Sequence, residues 1–212
     1  MEVQGLKSIG PSPRFETLSI FLSVPGQIVF YAASYFILFA ASTVGSVRRR
    51  EKPLKGERSK AQRASTRYSG LLLIFGPLVA AGFGYSGTAL IPDWSYYVGL
   101  SFSILSAAIW FWGQQTLGQY YSHEAVVYQG HQLVERGPYK FVRHPIYAAG
   151  LLLCPGIGLM SQSWIAVAVI TIMATIILAY RIQVEEKTLV SEFGEQYVAY
   201  SRRVKKLIPF IY

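Results

Sequence analysis

The chain has 212 residues, of which 52% are hydrophobic and 15% charged, and a formal net charge of +9. The apolar share is close to that of soluble domains, but several windows of the length needed to cross a bilayer, about 20 residues, carry almost no charge. The basic residues sit beside those windows, as the positive-inside bias of membrane proteins requires, which argues against a nucleic-acid partner. The one cysteine, Cys154, excludes a disulfide framework and, inside an apolar run, reads as a small buried hydrophobe.

In chain order, the N-terminal segment holds Glu2 and Glu16 beside Lys7 and Arg14, and the apolar run that follows is too long for the core of a cleavable signal. Five spans are expected, at 18–46, 69–91, 95–116, 146–160 and 163–181. The first contains Pro25-Gly26 and the second Gly76-Pro77, where kinks are expected. Only Ser161-Gln162-Ser163 separates the last two, which must form a tight antiparallel hairpin. A cytoplasmic helix at about 184–203 should follow, with Leu189, Val190, Phe193, Tyr197 and Tyr200 on one face and Gly194 weakening its middle. The charged segment 202–206 suits the headgroup layer. The fold class is therefore all-α integral membrane, a single domain over 1–212 with five transmembrane helices.

The loop 48–67 carries nine Lys and Arg against Glu51 and Glu57. A short loop of that kind stays in the cytoplasm, and it can also attract anionic membrane lipids. Alternation then puts 117–145 and 182–212 on the same side, leaving only Lys7 and Arg14 of the 20 basic residues outside. Five spans agree with that asymmetry; four or six do not.

All three histidines, His123, His131 and His144, fall in the cytoplasmic segment between spans three and four. No cysteine or aspartate accompanies them and no H-E-x-x-H is formed, so no metal site is expected. Gly82-Phe83-Gly84-Tyr85-Ser86-Gly87 fits G-x-G-x-x-G literally, but the motif needs a strand before it and a helix start after it. Inside a span it reads as small residues for helix packing.

Two segments carry more chemistry. In Gly137-Pro138-Tyr139-Lys140-Phe141-Val142-Arg143-His144-Pro145-Ile146-Tyr147, Pro145 biases His144 away from helix and suits the first helical turn. His144 thus lies at the N-terminus of span four, where free amides and the dipole favour an anion; alternatively Arg143 and His144 ride at the headgroups. Where span five leaves the membrane stand Arg181, Glu185 and Glu186. Arg181 and Glu185 are four apart on one helix face, either as an ordinary surface pair or as functional charges facing the bundle.

Taken in order, Gly130-His131-Gln132-Leu133-Val134, Gly137-Pro138-Tyr139, Arg143-His144-Pro145-Ile146-Tyr147, Arg181 with Glu185-Glu186, and Phe193-Gly194-Glu195-Gln196-Tyr197 resemble the isoprenylcysteine carboxyl methyltransferases and related membrane phospholipid methyltransferases. The resemblance covers about 118–212, which would form the methyltransferase core around the hairpin 146–181, with the three N-terminal spans in 1–117. It implies that S-adenosyl-L-methionine lies in a cytoplasm-facing pocket roofed by the C-terminal helix. By position, His131, Gln132, Leu133, Val134, Tyr139, His144, Pro145, Ile146, Tyr147 and Glu185 would line the cofactor, and Arg181 would be the substrate-side arginine. A further cofactor residue in Ser122-His123-Glu124-Ala125 cannot be assigned.

Methyl transfer from a sulfonium to a carboxylate is an in-line displacement that needs no general base, because the carboxylate is already ionised. The demand is for positioning and water exclusion, and an arginine can grip a carboxylate through two parallel hydrogen bonds. The implied acceptor is a prenylcysteine-like or other lipophilic substrate entering from the bilayer. A phospholipid amine would be repelled in its charged form by Arg181; a small thiol is a further candidate. The C-terminal Leu207-Ile208-Pro209-Phe210-Ile211-Tyr212 also resembles the end of NADPH-dependent sterol reductases, and a non-catalytic protein could keep the same scaffold. The short chain, without extra N-terminal spans, points to a prokaryotic plasma membrane.

Overall fold

The computed structural model describes residues 60–85, 91–92, 94–121 and 132–208. The first expected span, most of the basic loop 48–67, and His123 and His131 lie outside the described residues. Among those residues the elements are helical: α1 (Lys60–Tyr85), α2 (Trp94–Leu117), α3 (Pro145–Met160), α4 (Trp164–Phe193) and α5 (Glu195–Arg203), with short 3-10 turns at Gly118–Tyr120 and Gly137–Lys140. α1, α2 and α4 are long and apolar enough to cross a membrane, and α3 is a shorter apolar helix. These four are the second to fifth spans expected from the sequence.

The apolar side chains show what solvent this fold is made for. Phe75 and Leu78 on α1, Ile104 and Phe111 on α2, and Ile172 and Ile176 on α4 all stand more than half exposed. A water-soluble protein would bury such side chains, whereas the bilayer solvates them. The interior is made instead of small or slim residues, Ala80, Cys154, Ala166 and Ala174 among Leu153, Ile157 and Ile170. Hydrophobic transfer does not drive helices together inside lipid, so close backbone approach and hydrogen bonds must. α2 and α3 use both devices. A Cβ on Gly99 would lie 2.5 Å from the Gly156 carbonyl oxygen, so only glycine allows this approach. On the same seam Ser95 donates to the Leu159 carbonyl at 3.0 Å and Ser106 to that of Ala149 at 2.7 Å.

The expected hairpin is formed as read. Ser163 caps α4, its Oγ accepting from the Ala166 amide at 3.4 Å, and Gln162 takes a φ of +56° to complete the turn. The Gln162 carbonyl accepts from the Ile91 amide at 2.9 Å, tying the hairpin to the entry of α2.

Two expectations need correction. α1 begins at Lys60, nine residues earlier than the second span was drawn, because the Lys60–Arg67 stretch is rich in helix formers and nothing in it breaks a helix. The separate helix at 184–203 does not form. α4 runs unbroken for 30 residues, about 45 Å at 1.5 Å per residue, and projects beyond a hydrocarbon core of about 30 Å. The break comes at Gly194, with φ +52°, and α5 starts there. The expected continuous face is thereby split: Tyr197 and Tyr200 are buried, but Val190 is 43% exposed. Gly82 lies within the α1 helix, in keeping with the expectation that its motif is not a strand-to-helix phosphate loop. Among the described residues a Cβ there would meet nothing within 4 Å.

Candidate active site at the polar end of the bundle

The start of α1, the end of α2, the start of α3 and the far end of α4 meet at one end of the bundle. The 3-10 turn Gly137–Lys140 seats against α2 there: Gly137 has φ +59°, and a Cβ on it would stand 2.6 Å from Thr116 Oγ1. The turn delivers Arg143 and His144 to the start of α3, where Pro145 occupies the first turn with no amide to leave unpaired.

A strap formed by residues 204–206 runs beside 142–144. Val142 and Lys205 form a parallel bridge, the Arg143 amide donates to the Lys205 carbonyl at 2.8 Å, and the His144 amide donates to that of Lys206 at 3.0 Å. The amides of Arg143 and His144 are thus bonded to carbonyls and are not among the free amides of this helix start.

Arg143 and Glu186 tie the strap down. Arg143 donates to Glu186 Oε1 through Nη2 at 2.7 Å and Nε at 3.0 Å, and its Nη1 donates to the carbonyls of Ser201 (2.7 Å) and Val204. His144 Nε2 lies 3.3 Å from the same Glu186 oxygen, and Lys206 Nζ lies 3.2 Å from Oε2. Tyr197 OH reaches Glu186 at 3.5 Å, and Tyr200 OH donates to the Tyr139 carbonyl at 2.6 Å. Glu186 sits on the part of α4 beyond its apolar stretch. Burial opposes its ionisation, but the hydrogen bonds from His144 and Arg143 outweigh burial and hold the carboxyl down at about 2. Burial, with nearby acidic groups, pushes the Tyr139, Tyr197 and Tyr200 hydroxyls up, so they serve as neutral hydrogen-bonding groups.

A second constellation lies one step along α4. Arg181 is only 6% exposed. Its Nε donates to Tyr147 OH at 2.8 Å, and Nη1 donates to Ser69 Oγ at 2.6 Å and lies 3.5 Å from the Ser65 carbonyl oxygen. Tyr147 OH in turn donates to Glu185 Oε2. One hydroxyl therefore joins the arginine to the carboxylate, and the pair is not a plain i, i+4 surface bridge. Glu185 Oε1 is 3.9 Å from His144 Nδ1, and the Glu185 side chain is 27% exposed against 18% for Glu186. The His144 and Tyr147 rings stack at 5.6 Å.

Of the residues expected at the site, the structure brings Tyr139, His144, Tyr147, Arg181 and Glu185 to one end of the bundle. Pro145 is buried, and Ile146 packs toward α2 at Gly113. Gln132 is exposed, and Leu133 and Val134 are half-buried, on the segment leading into the turn. Two features escaped the sequence reading. Glu186 and Arg143 were visible in the motifs, but not their clamp on the strap. Ser69, with its neighbour Ser65, gave only the faint signal of two hydroxyls four residues apart at the start of a span.

Comparison with known proteins bears on this arrangement. Residues 98–191 match the isoprenylcysteine carboxyl methyltransferase (ICMT) family. The chain is 34% identical over 96 residues to the protein YpbQ of Bacillus subtilis, covering 45% of this chain and 57% of that one. It is 31% identical over 120 residues to protein-S-isoprenylcysteine O-methyltransferase B of Arabidopsis thaliana, covering 56% and 61%. To the methanethiol S-methyltransferase of Crocosphaera subtropica it is 41% identical over 73 residues, covering 34% and 28%. The chain thus spans less than two thirds of each of these relatives. The solved structure of the eukaryotic intramembrane Ras methyltransferase ICMT superposes with a TM-score of 0.56 at 22% identity, over 96% of this chain and 69% of that chain, a likeness of fold. The segment that matches the ICMT family, 98–191, carries most of α2, all of α3 and nearly all of α4.

Proposed function

We propose that this protein is a methyltransferase that uses S-adenosyl-L-methionine at the cytoplasmic face of its membrane, and that its acceptor is the carboxylate of a lipophilic, prenylcysteine-like molecule. The observation that carries this reading is the chain Arg181–Tyr147–Glu185, which sets a buried cation and a partly exposed carboxylate side by side within an ICMT-family segment. The basic residues of loop 48–67 support the cytoplasmic side.

The residues present fit the cofactor's chemistry. When bound, S-adenosyl-L-methionine supplies an electrophilic methyl on a cationic sulfonium and also carries an ammonium group. Glu185 offers a carboxylate with open side-chain surface, and Tyr139, His144 and Tyr147 surround it with aromatic rings suited to a cation. Glu185 with these rings, and the segment leading from Gln132 into the 3-10 turn, would hold it. Arg181 would hold the acceptor carboxylate, which is ionised and needs no base. The strap and α5, clamped through Glu186, would keep water from the reacting groups.

A small thiol is the second reading, favoured by the likeness to a methanethiol S-methyltransferase. An amine acceptor would meet the Arg181 charge and is disfavoured. The test is methyl transfer from radiolabelled S-adenosyl-L-methionine by the purified, detergent-solubilised protein to a prenylcysteine analogue, an aminophospholipid and methanethiol. Preferred labelling of the prenylcysteine carboxylate is expected; labelling of methanethiol alone would replace the first reading by the second, and labelling of none would overturn both.

A further inference from the structure

We infer that α1, which lies outside the ICMT-family segment, sets the acceptor side of the site, with Ser69 as a positioning residue for the Arg181 guanidinium. This rests on the reading of Arg181 as the acceptor-side cation.

The observation begins with a polar seam between two otherwise apolar helices. Gln62 Nε2 donates to Thr188 Oγ1 at 3.1 Å, and Arg181 Nη1 donates to Ser69 Oγ at 2.6 Å. From Gln62 to Ser69 is seven residues along α1, and from Thr188 to Arg181 is seven residues back along α4. Seven residues make two helical turns, about 10.5 Å. The two contacts therefore keep one antiparallel register, and Gln62, Ser65 and Ser69, at i, i+3 and i+7, share the face of α1 that meets α4. A register held at two points is fixed in translation as well as in rotation.

The Ser69 hydroxyl is itself oriented. It donates to the Thr66 carbonyl at 3.0 Å, which turns its lone pairs toward Arg181 Nη1. Tyr147 fixes the guanidinium at Nε, and Ser69 fixes it at Nη1. Because the guanidinium is planar, two such points set the direction of the whole fork. Ser69 adds a second fixed point to the one that Tyr147 supplies, and a bidentate grip on a planar acceptor tolerates little rotation of the fork. Sequence outside the family segment thus governs how the family's arginine is presented.

The experiment uses the full chain in nanodiscs. It measures KM and binding of a prenylcysteine analogue, binding of S-adenosylhomocysteine, and melting temperature for wild type, Ser69→Ala, Ser69→Thr and Arg181→Ala. Ser69→Ala should raise the acceptor KM and Kd about ten-fold, the loss of one hydrogen bond to a charged group, and leave S-adenosylhomocysteine binding unchanged. Ser69→Thr, which keeps the hydroxyl, should restore the wild-type values. A residue that only packs helices would instead weaken the binding of both ligands together. If Ser69→Ala does not fold, Ser69→Cys replaces the hydroxyl by a weak acceptor of nearly the same shape, and the same ten-fold separation is expected. A raised acceptor KM in Arg181→Ala with none in the Ser69 variants would overturn the role of Ser69 alone. An unchanged acceptor KM in Arg181→Ala would remove the acceptor-side reading, and the inference with it.

Discussion

Two arginine–carboxylate constellations stand at the same end of this bundle, and they are built to opposite plans. Arg143 and Glu186 are saturated: Glu186 faces Arg143, His144, Lys206 and Tyr197, while Arg143 also reaches two carbonyls of the α5 end and the strap. Arg181 and Glu185 meet through a single hydroxyl, and Glu185 keeps more open surface. Adjacent residues on an α-helix point about 100° apart, so Glu185 and Glu186 can serve different faces of α4. One closes the fold over the bundle end, and the other keeps more of its side chain exposed. A pair of like residues in a motif is thus no guide to a shared task.

Removing Glu186 should break the closed side of this contrast. Glu186→Ala leaves the nearly buried Arg143 without its carboxylate, a loss of about 3–5 kcal/mol for a broken buried pair, seen as a lower melting temperature and faster proteolysis after Phe193. The acid dependence follows the same group. Its folded-state pKa of about 2 lies below the ordinary 4.5, so its stabilising contribution is complete above about pH 4.5 and fades as the pH falls toward 2. Melting temperatures recorded down that window should fall less steeply in Glu186→Ala than in the wild type.

The open side should respond in activity first. Under the proposed roles, Arg181→Ala is expected to lower kcat/KM for a prenylcysteine analogue about a hundred-fold, with the strap still protected from protease. If Arg181→Ala exposed the strap as Glu186→Ala does, the two constellations would be one structural unit and the contrast would collapse.

Much of this architecture was legible in the sequence, and the reasons differ by element. Spans three and four and the three-residue turn before span five were readable to within a residue, because apolar length and Ser161-Gln162-Ser163 leave little choice. The extent of α4 was not. Hydropathy ends at Arg181, but nothing there stops a helix, and the stop lies at Gly194. Tyr147, Arg181 and Glu185 emerged from motif order, whereas their connection through one hydroxyl is a matter of rotamers that spacing cannot supply. The strap was harder still, since its pairing joins Val142 to Lys205 across a separation no local pattern encodes. Ser69 was missed because a serine near a span's start is ordinary until the partner across the seam is known.

Glu185→Gln should sharpen the contrast with a smaller effect. It keeps the shape and removes the charge, so S-adenosylhomocysteine binding, read by calorimetry, is expected to weaken about ten-fold, the value of one charge-assisted hydrogen bond. The melting temperature should stay near that of the wild type, because the Arg143–Glu186 clamp is untouched. A loss of stability without a loss of affinity would move Glu185 to the structural side.

The smallest effect is expected at Ser65, and its sign is the informative part. Ser65 is fully buried one turn before Ser69, and among the described residues its Oγ has no hydrogen-bond partner. The contact it offers to Arg181 comes from its carbonyl, which every residue type has. Ser65→Ala therefore removes a desolvated, unpaired hydroxyl and gains helix propensity, a stabilisation of about 1 kcal/mol. Ser69→Ala removes a hydroxyl that is bonded on both sides and should destabilise. Two serines on one helix face, truncated in the same way, are thus expected to shift the melting temperature in opposite directions. Equal shifts would mean that burial rather than hydrogen bonding governs the α1–α4 seam, and Ser69 would then lose its positioning role toward the guanidinium.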